Sequence, residues 1–230
     1  MSHFVPILST ALAFGLATPA LAVTVNGADL GTAPGFGLPN GAGAVTGTSM
    51  AFGTGPFEDV VLVTLDLGGA TSGTIAMDLT RTTSDMDVTF GLSYGTVFDW
   101  VGLADQGLLL SSPGLGTFDG TGYGWGSLTT SNVTPVFPTG PIGTITYAFD
   151  LVAGTYDLTY GTYTLNGTFK PGFDTGQPMT FLLGKNNASE AMQVDSISYS
   201  LGSAEVPLPA GLPLLAGALA GLAVLRRRAV

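Results

Sequence analysis

The chain contains no cysteine, and its single histidine, His3, stands at the extreme N-terminus. Without thiols no disulfide can staple the fold, so burial and hydrogen bonding must hold it. Beyond His3 there is neither imidazole nor thiolate, which excludes Ser-His-Asp and Cys-His nucleophile systems and any zinc or copper site built on those ligands. Charge is scarce as well: charged residues make up 10% of the chain, against roughly a quarter in an average protein. Before the C-terminus the only basic residues are Arg81, Lys170 and Lys185, set against sixteen carboxylates. Such a chain repels a phosphate backbone and has no basic patch from which to release counterions, so nucleic acid is excluded as a partner. An anionic membrane surface is disfavoured on the same ground.

What fills the space is apolar residues, at 45%, and glycine, at 35 of 230. Low charge with this much apolar content is the opposite of a disorder signature. Short runs rich in Val, Ile, Thr, Tyr and Phe, bounded by Gly, Ser or Asp, predict strands at 23–25, 44–52, 60–67, 73–80, 87–94, 97–103, 107–110, 142–151, 154–160, 163–169, 179–183 and 193–201. In 155–160 the residues Tyr156, Leu158 and Tyr160 alternate with Thr155, Asp157 and Thr159, the period-two pattern of a strand with one buried face. Val60-Val61-Leu62-Val63 is continuously apolar and suits a central strand covered on both faces.

The stretch 31–43 reads as an irregular lead-in, and 111–139 as a long exposed loop around Tyr123 and Trp125. Asn166-Gly167 reads as a turn. Gly-Thr dipeptides recur, at 31, 47, 53, 73, 95, 116, 120, 143, 154, 161 and 167, but without a fixed period, so each reads as a turn glycine followed by a strand threonine rather than as a repeat. No amphipathic helix interrupts the series. The expected fold is all-β, an antiparallel sandwich with jelly-roll-like connections.

Both ends read as addresses. Residues 4–17 form an apolar run too short for the roughly 17–25 residues of a membrane span, and Ala20-Leu21-Ala22 has the small-x-small form of a signal-peptidase site. Residues 1–22 are therefore expected to be a signal peptide, with the mature chain starting at Val23. At the other end residues 208–225 carry no charge. As a helix rising about 1.5 Å per residue they reach roughly 27 Å, close to the ~30 Å of a bilayer core. Arg226, Arg227 and Arg228 follow at once and, by the positive-inside rule, belong on the cytoplasmic side. The expectation is one C-terminal transmembrane helix, with residues 23–205 exported.

The order Val206-Pro207-Leu208-Pro209-Ala210, apolar helix, arginine cluster resembles the VPLPA variant of the PEP-CTERM sorting signals of Gram-negative bacteria. The resemblance covers residues 206–230. It implies recognition by an exosortase, an integral-membrane protease or transferase, cleavage near the proline motif, and transfer from the inner membrane to the cell surface or an exopolysaccharide matrix. It implies nothing about what the cargo does. The run Met192 to Ser200 also resembles, over that one strand, the closing strand of lectin-like or carbohydrate-binding jelly rolls.

Chemistry that survives the absences is limited. Paired carboxylates could serve a glycan hydrolase, with Asp85 and Asp87 on one face of an extended segment, and Lys170 or Lys185 could pair with a serine. Solvated turn carboxylates explain the same residues more simply. Calcium is the one metal the composition admits, as a structural ion, at Asp195 with Glu58 or Asp59, or at Asp119 in Asp-Gly-Thr-Gly. Trp100, Tyr123, Trp125, Phe137 and Tyr147 could offer a sugar-stacking platform, Trp125 first among them, although core packing is the simpler account of any single one. Asn132-Val-Thr, Asn166-Gly-Thr and Asn187-Ala-Ser match the glycosylation sequon but are better read as turns.

The reading these features support is a non-enzymatic, exported surface or matrix protein with a structural or adhesive role in exopolysaccharide. The alternatives are a carbohydrate-binding module and, behind it, a carboxylate-dependent hydrolase. Intact mass of the protein from a host with an active exosortase is expected to fit a chain that begins at Val23 and ends near Ala210, plus any attached anchor. Replacing Pro207 and Pro209 with alanine should leave export intact and hold the chain in the membrane, detected as a membrane-fraction species retaining residues 211–230.

Overall fold

In the computed structural model the described residues are 22–53, 60–82, 88–103, 108–111, 115–124, 129–133, 140–185 and 191–202. Their strands are β1 (Val23–Asn26), β2 (Phe36–Gly37), β3 (Ala44–Thr46), β4 (Ser49–Phe52), β5 (Val60–Asp66), β6 (Ser72–Arg81), β7 (Val88–Tyr94), β8 (Val97–Leu103), β9 (Leu108–Ser111), β10 (Gly116–Phe118), β11 (Tyr123–Gly124), β12 (Thr129–Val133), β13 (Gly140–Asp150), β14 (Thr155–Tyr160), β15 (Tyr163–Thr168), β16 (Thr180–Lys185) and β17 (Met192–Gly202). Among the described residues a single 3-10 turn, Gly27–Asp29, follows β1. Among the described residues no helix is long and apolar enough to cross a membrane.

The strands form two antiparallel sheets. Sheet A has eight strands in the order β15-β14-β13-β6-β17-β4-β3, with β1 beside β17. One edge of β17 is divided between two partners, β1 along Ser196 to Tyr199 and β4 along Met192 to Val194. Sheet B has nine, in the order β11-β10-β8-β7-β16-β5-β2, with β9 against β8 and β12 against β9. The chain crosses repeatedly between the sheets, so neither could form alone.

Period two does the sorting. Along β6, Ile75, Met77 and Leu79 face sheet B and are buried, while Thr74, Ala76, Asp78 and Thr80 face outward. β13, β14 and β17 add Ile145, Tyr147, Phe149, Tyr156, Leu158, Val194 and Ile197 to the same apolar layer. From sheet B come Leu62, Val63, Leu65, Phe90, Leu92, Val101, Phe181 and Leu183. Edge-to-face contact of Phe90 with Tyr147, at 5.9 Å between ring centroids, joins the sheets near their middle.

β5 is buried on both faces, as its apolar run predicts. Val61 belongs with Phe98, Trp100 and Leu182 to a second cluster, separate from the main core, with Phe118 packed against it. The segment carrying Phe118 pairs with β8 at one end and with Val60 at the other, and Asn40 Nδ2 ties the carbonyls of Val61 and Thr121 at 2.7 and 2.6 Å. That strap accounts for the double-sided burial.

The structure corrects several turn assignments. Residues 44–52 are two strands, because Gly47-Thr48 makes a two-residue hairpin; Gly95-Thr96 and Gly161-Thr162 do the same between β7 and β8 and between β14 and β15. In all three the glycine takes the first central position with φ of 53 to 63°, which a side-chain-bearing residue resists. The Gly-Thr pairs at 73, 116, 143 and 167 lie inside strands instead. The expected loop 111–139 contains β10, β11 and β12.

Asn166-Gly167 is not a turn but the middle of β15, Asn166 facing Asp157 and Gly167 facing Tyr156. The glycine is needed for space, since a Cβ there would sit 2.3 Å from the Tyr156 ring. Gly73 is covered by Phe149 in the same way, with a Cβ-to-ring distance of 2.9 Å. Gly167→Val is therefore expected to lower stability by about 1–3 kcal/mol, the usual cost of overpacking, seen as a reduced denaturation midpoint.

Candidate functional site

Two places concentrate polar groups, one buried and one open. The buried one lies between the sheets. Asp99 on β8 is 1% exposed and Lys170, just beyond β15, is 8% exposed. Lys170 Nζ is 3.5 Å from Asp99 Oδ1, and the Lys170 backbone N–H donates to Asp99 Oδ2 at 2.6 Å. Oδ1 itself receives no hydrogen bond. The ammonium also lies 5.6 Å from the centre of the Tyr156 ring.

The rings around this pair form a chain. Tyr156 stacks on Tyr147 and leans on Phe169, which stacks on Phe173, which meets Tyr94. In so dry a setting desolvation dominates. It raises the Asp99 carboxyl above its ordinary value despite the attraction of Lys170, and lowers the Lys170 ammonium despite the attraction of Asp99. Desolvation, with Asp99 and Tyr156 close by, pushes the Tyr147 phenol well up and keeps it neutral.

The open place is the outer face of sheet A. Strand register lays its outward side chains in rows across the strands: Ser200, Thr74, Ala148, Asp157 and Asn166 in one, Gly202, Ser72, Asp150, Thr155 and Thr168 in the next. A shallow groove of about 420 Å³ runs over both rows from Ser200 and Gly202 to Thr155 and Asp157. Asp150 Oδ1 accepts from the N–H groups of Val152 and Ala153, and Asp157 Oδ1 accepts from Asn166 Nδ2. Val152, 81% exposed, stands in the turn beside the groove.

The hydroxyl lining continues along the face, where Thr24 and Ser198 share a hydrogen bond of 2.8 Å and Ser196 and Thr144 donate to Asp78. At a bulge in β17, Asp195 accepts from Ser49, Thr80 and Gln193. Burial raises its carboxyl, but those three bonds together outweigh burial and hold it below its ordinary value.

The residues singled out in the sequence fare unevenly. Trp100 and Tyr147 are fully buried and cannot stack on a sugar. Asp119 closes its own turn, accepting from Gly122 and Thr121, whose bonds hold its carboxyl low. Asp195 is occupied by hydroxyls and an amide, and among the described residues no three His, Cys, Asp or Glu gather as a metal site. Neither lysine is set up as a serine's base: Lys170 is committed to Asp99, and Lys185 Nζ, buried, donates to the Gly53 carbonyl. Arg81, Lys170 and Lys185 are thus all buried, at 6%, 8% and 3% exposure, and face inward.

Of the sequons, Asn132 and Asn166 lie in β12 and β15 rather than in turns. Glu58, Asp59, Asp85, Asp87, Trp125, Phe137 and Asn187 lie outside the described residues, as do Ala20, the Val206 to Ala210 motif and Arg226 to Arg228. Composition had pointed to neither the Asp99–Lys170 pair nor the groove. The groove's signal was present in the alternation of Thr, Ser and Asp on β6, β13, β14 and β17, readable only once the register is known.

No family model matches the chain, and no curated protein matches it. Among solved structures, the CBM2 module of the evolved Dit protein of Lactobacillus casei BL23 phage J-1 is 10% identical, with 80% of this chain and 98% of that one covered at a TM-score of 0.46. A tetrameric galectin from the ball sponge Cinachyrella sp. is 19% identical, with 60% and 97% covered at 0.43. The Crh5 transglycosylase is 13% identical, with 83% and 87% covered at 0.47. Likenesses this distant leave ligand and chemistry to the residues of this chain.

Removing one member of the buried pair strands the other. Lys170→Met is expected to destabilise the protein by about 3–5 kcal/mol, and Asp99→Leu with Lys170→Met, which strands neither group, by less. Chemical denaturation of the two variants beside the parent measures both.

Proposed function

We propose that this is an exported surface or matrix protein whose sandwich holds neutral glycan chains along the outer face of sheet A. The observation that carries the reading is the groove over Ser72, Thr74, Asp150, Thr155, Asp157 and Ser200, an open trough lined by hydroxyls and carboxylates. Sugar hydroxyls both donate and accept, so a surface of Ser, Thr and Asn with interspersed carboxylates matches them group for group. Hydrogen bonds to the carboxylates are the stronger ones. A carboxylate accepts at up to about four positions, so Asp150 and Asp157 retain capacity beyond their own turn and side-chain partners.

Charge selects the kind of glycan. With Arg81, Lys170 and Lys185 buried, the face presents carboxylates and no cation to balance a uronate or sulfate. A neutral chain meets no such penalty. The groove is shallow and its described outward-facing residues include no aromatic ring, so each sugar contributes little and a long polymer gains by contacting many copies at once.

Address and ligand fit together in this reading. A signal peptide at 1–22 and a VPLPA-type signal at 206–230 would deliver residues 23–205, through signal peptidase and an exosortase, to the place where extracellular polysaccharide accumulates. The role is structural or adhesive: to hold polymer, not to cut it.

Binding of the purified protein to immobilised neutral and acidic polysaccharides is the test. Neutral chains are expected to bind and to be recovered uncut. Ala148→Arg, which fills the floor of the groove, should weaken binding by about tenfold or more, equivalent to about 1.4 kcal/mol, with little change in melting temperature. Failure of every neutral glycan to bind would overturn the reading. Reducing ends released by the parent and abolished by Asp150→Asn or Asp157→Asn would make the protein a hydrolase instead.

A further inference from the structure

The Asp99–Lys170 pair is arranged for more than attraction. Its two side chains come from different parts of the chain, yet meet head to head in the interior. The two carboxylate oxygens are treated differently. Oδ2 is fixed by the 2.6 Å bond from the Lys170 N–H, whereas Oδ1, the oxygen facing Nζ, has no hydrogen-bond donor. A backbone N–H on one oxygen is the arrangement that stabilises negative charge developing there when a nucleophile adds to the carbon. Oδ1, which faces Nζ at 3.5 Å, is the oxygen placed to take protons from it and leave.

We propose that Lys170 and Asp99 condense to an intramolecular amide, Nζ to Cγ, that joins the segment after β15 covalently to β8. The step balances without any oxidant or reductant. A proton passes from the ammonium to Oδ1, giving an amine and a carboxylic acid. The Nζ lone pair adds to Cγ, with charge gathering on Oδ2 against the Lys170 N–H. The Cγ–Oδ1 bond then breaks, Oδ1 takes a second proton from Nζ, and one water departs.

The surroundings favour each stage. Burial raises the Asp99 acid and lowers the Lys170 ammonium, so the proton transfer that gives the reactive amine and acid costs less here than in water. Holding both groups in place removes most of the entropic barrier to their meeting. The product replaces two buried charges by one neutral amide, which relieves the desolvation cost that a buried ion pair carries. A chain with no cysteine thereby gains a cross-link by other means.

The sequence itself supplies a clean assay. Chemical cleavage at methionine releases residues 87–179 as one fragment, because no methionine lies between Met86 and Met179. Hydroxylamine then cuts that fragment at its one Asn-Gly bond, Asn166-Gly167, placing Asp99 on residues 87–166 and Lys170 on residues 167–179. From the full chain, purified folded and then denatured, the two halves are expected to stay joined with a mass one water below their sum. Lys170→Arg should give two separate halves, and Asp99→Asn should give a joined species formed with loss of ammonia. Separate, linear halves from the unmutated chain overturn the proposal, whether or not either variant folds.

Discussion

Side chains alternate across a strand, so a slip of β6 by one residue against β13 or β17 would drive Thr74, Ala76 and Asp78 into the core and expel Ile75, Met77 and Leu79. Both the apolar layer and the polar face of sheet A therefore hang on register. Two side-chain clusters lock it. Asp78 accepts from Thr144 on β13 and Ser196 on β17, and Asp195 draws together Ser49, Thr80 and Gln193 from β4, β6 and β17. Each bridges strands that are neighbours only when the register is correct. A wrong pairing would lose a whole carboxylate shell as well as apolar burial.

Sheet B solves a different problem, since β5, β7, β8 and β16 are buried on both sides. The main core covers one side. On the other, the strap through Phe118 closes over Val61, Phe98, Trp100 and Leu182. The aromatic residues described are thus spent mostly on packing, which leaves the hydrophilic outer face of sheet A to meet the solvent.

The strand series was legible because period-two alternation and bounding glycines are local signals. Val60 to Val63 even announced a strand covered on both faces. The errors arose where a residue's neighbour across the sheet decided its role: Gly167 looks like a turn until Tyr156 is seen to need the room its missing Cβ leaves. Trp100 looks like a binding residue until the strap is placed over it. The site was less legible still. Asp99 and Lys170 are distant in sequence, and nothing local says they meet. The groove is assembled from single residues on β6, β13, β14 and β17, so it exists in the register rather than in any motif. The terminal sorting expectation rests on order along the chain alone, and its motif lies outside the described residues.

The burial of Arg81, Lys170 and Lys185 has a consequence for resistance to proteolysis. Residues 23–205 contain no other lysine or arginine, and Lys170 is followed by Pro171. Trypsin-like enzymes require a basic side chain that can leave its surroundings and enter a specificity pocket, carrying several extended backbone residues with it. Here the three eligible side chains are held within the sandwich, so such an enzyme must wait for the fold to open before it finds a substrate. A sandwich that hides every lysine and arginine of residues 23–205 is, for that whole class of proteases, invisible while folded.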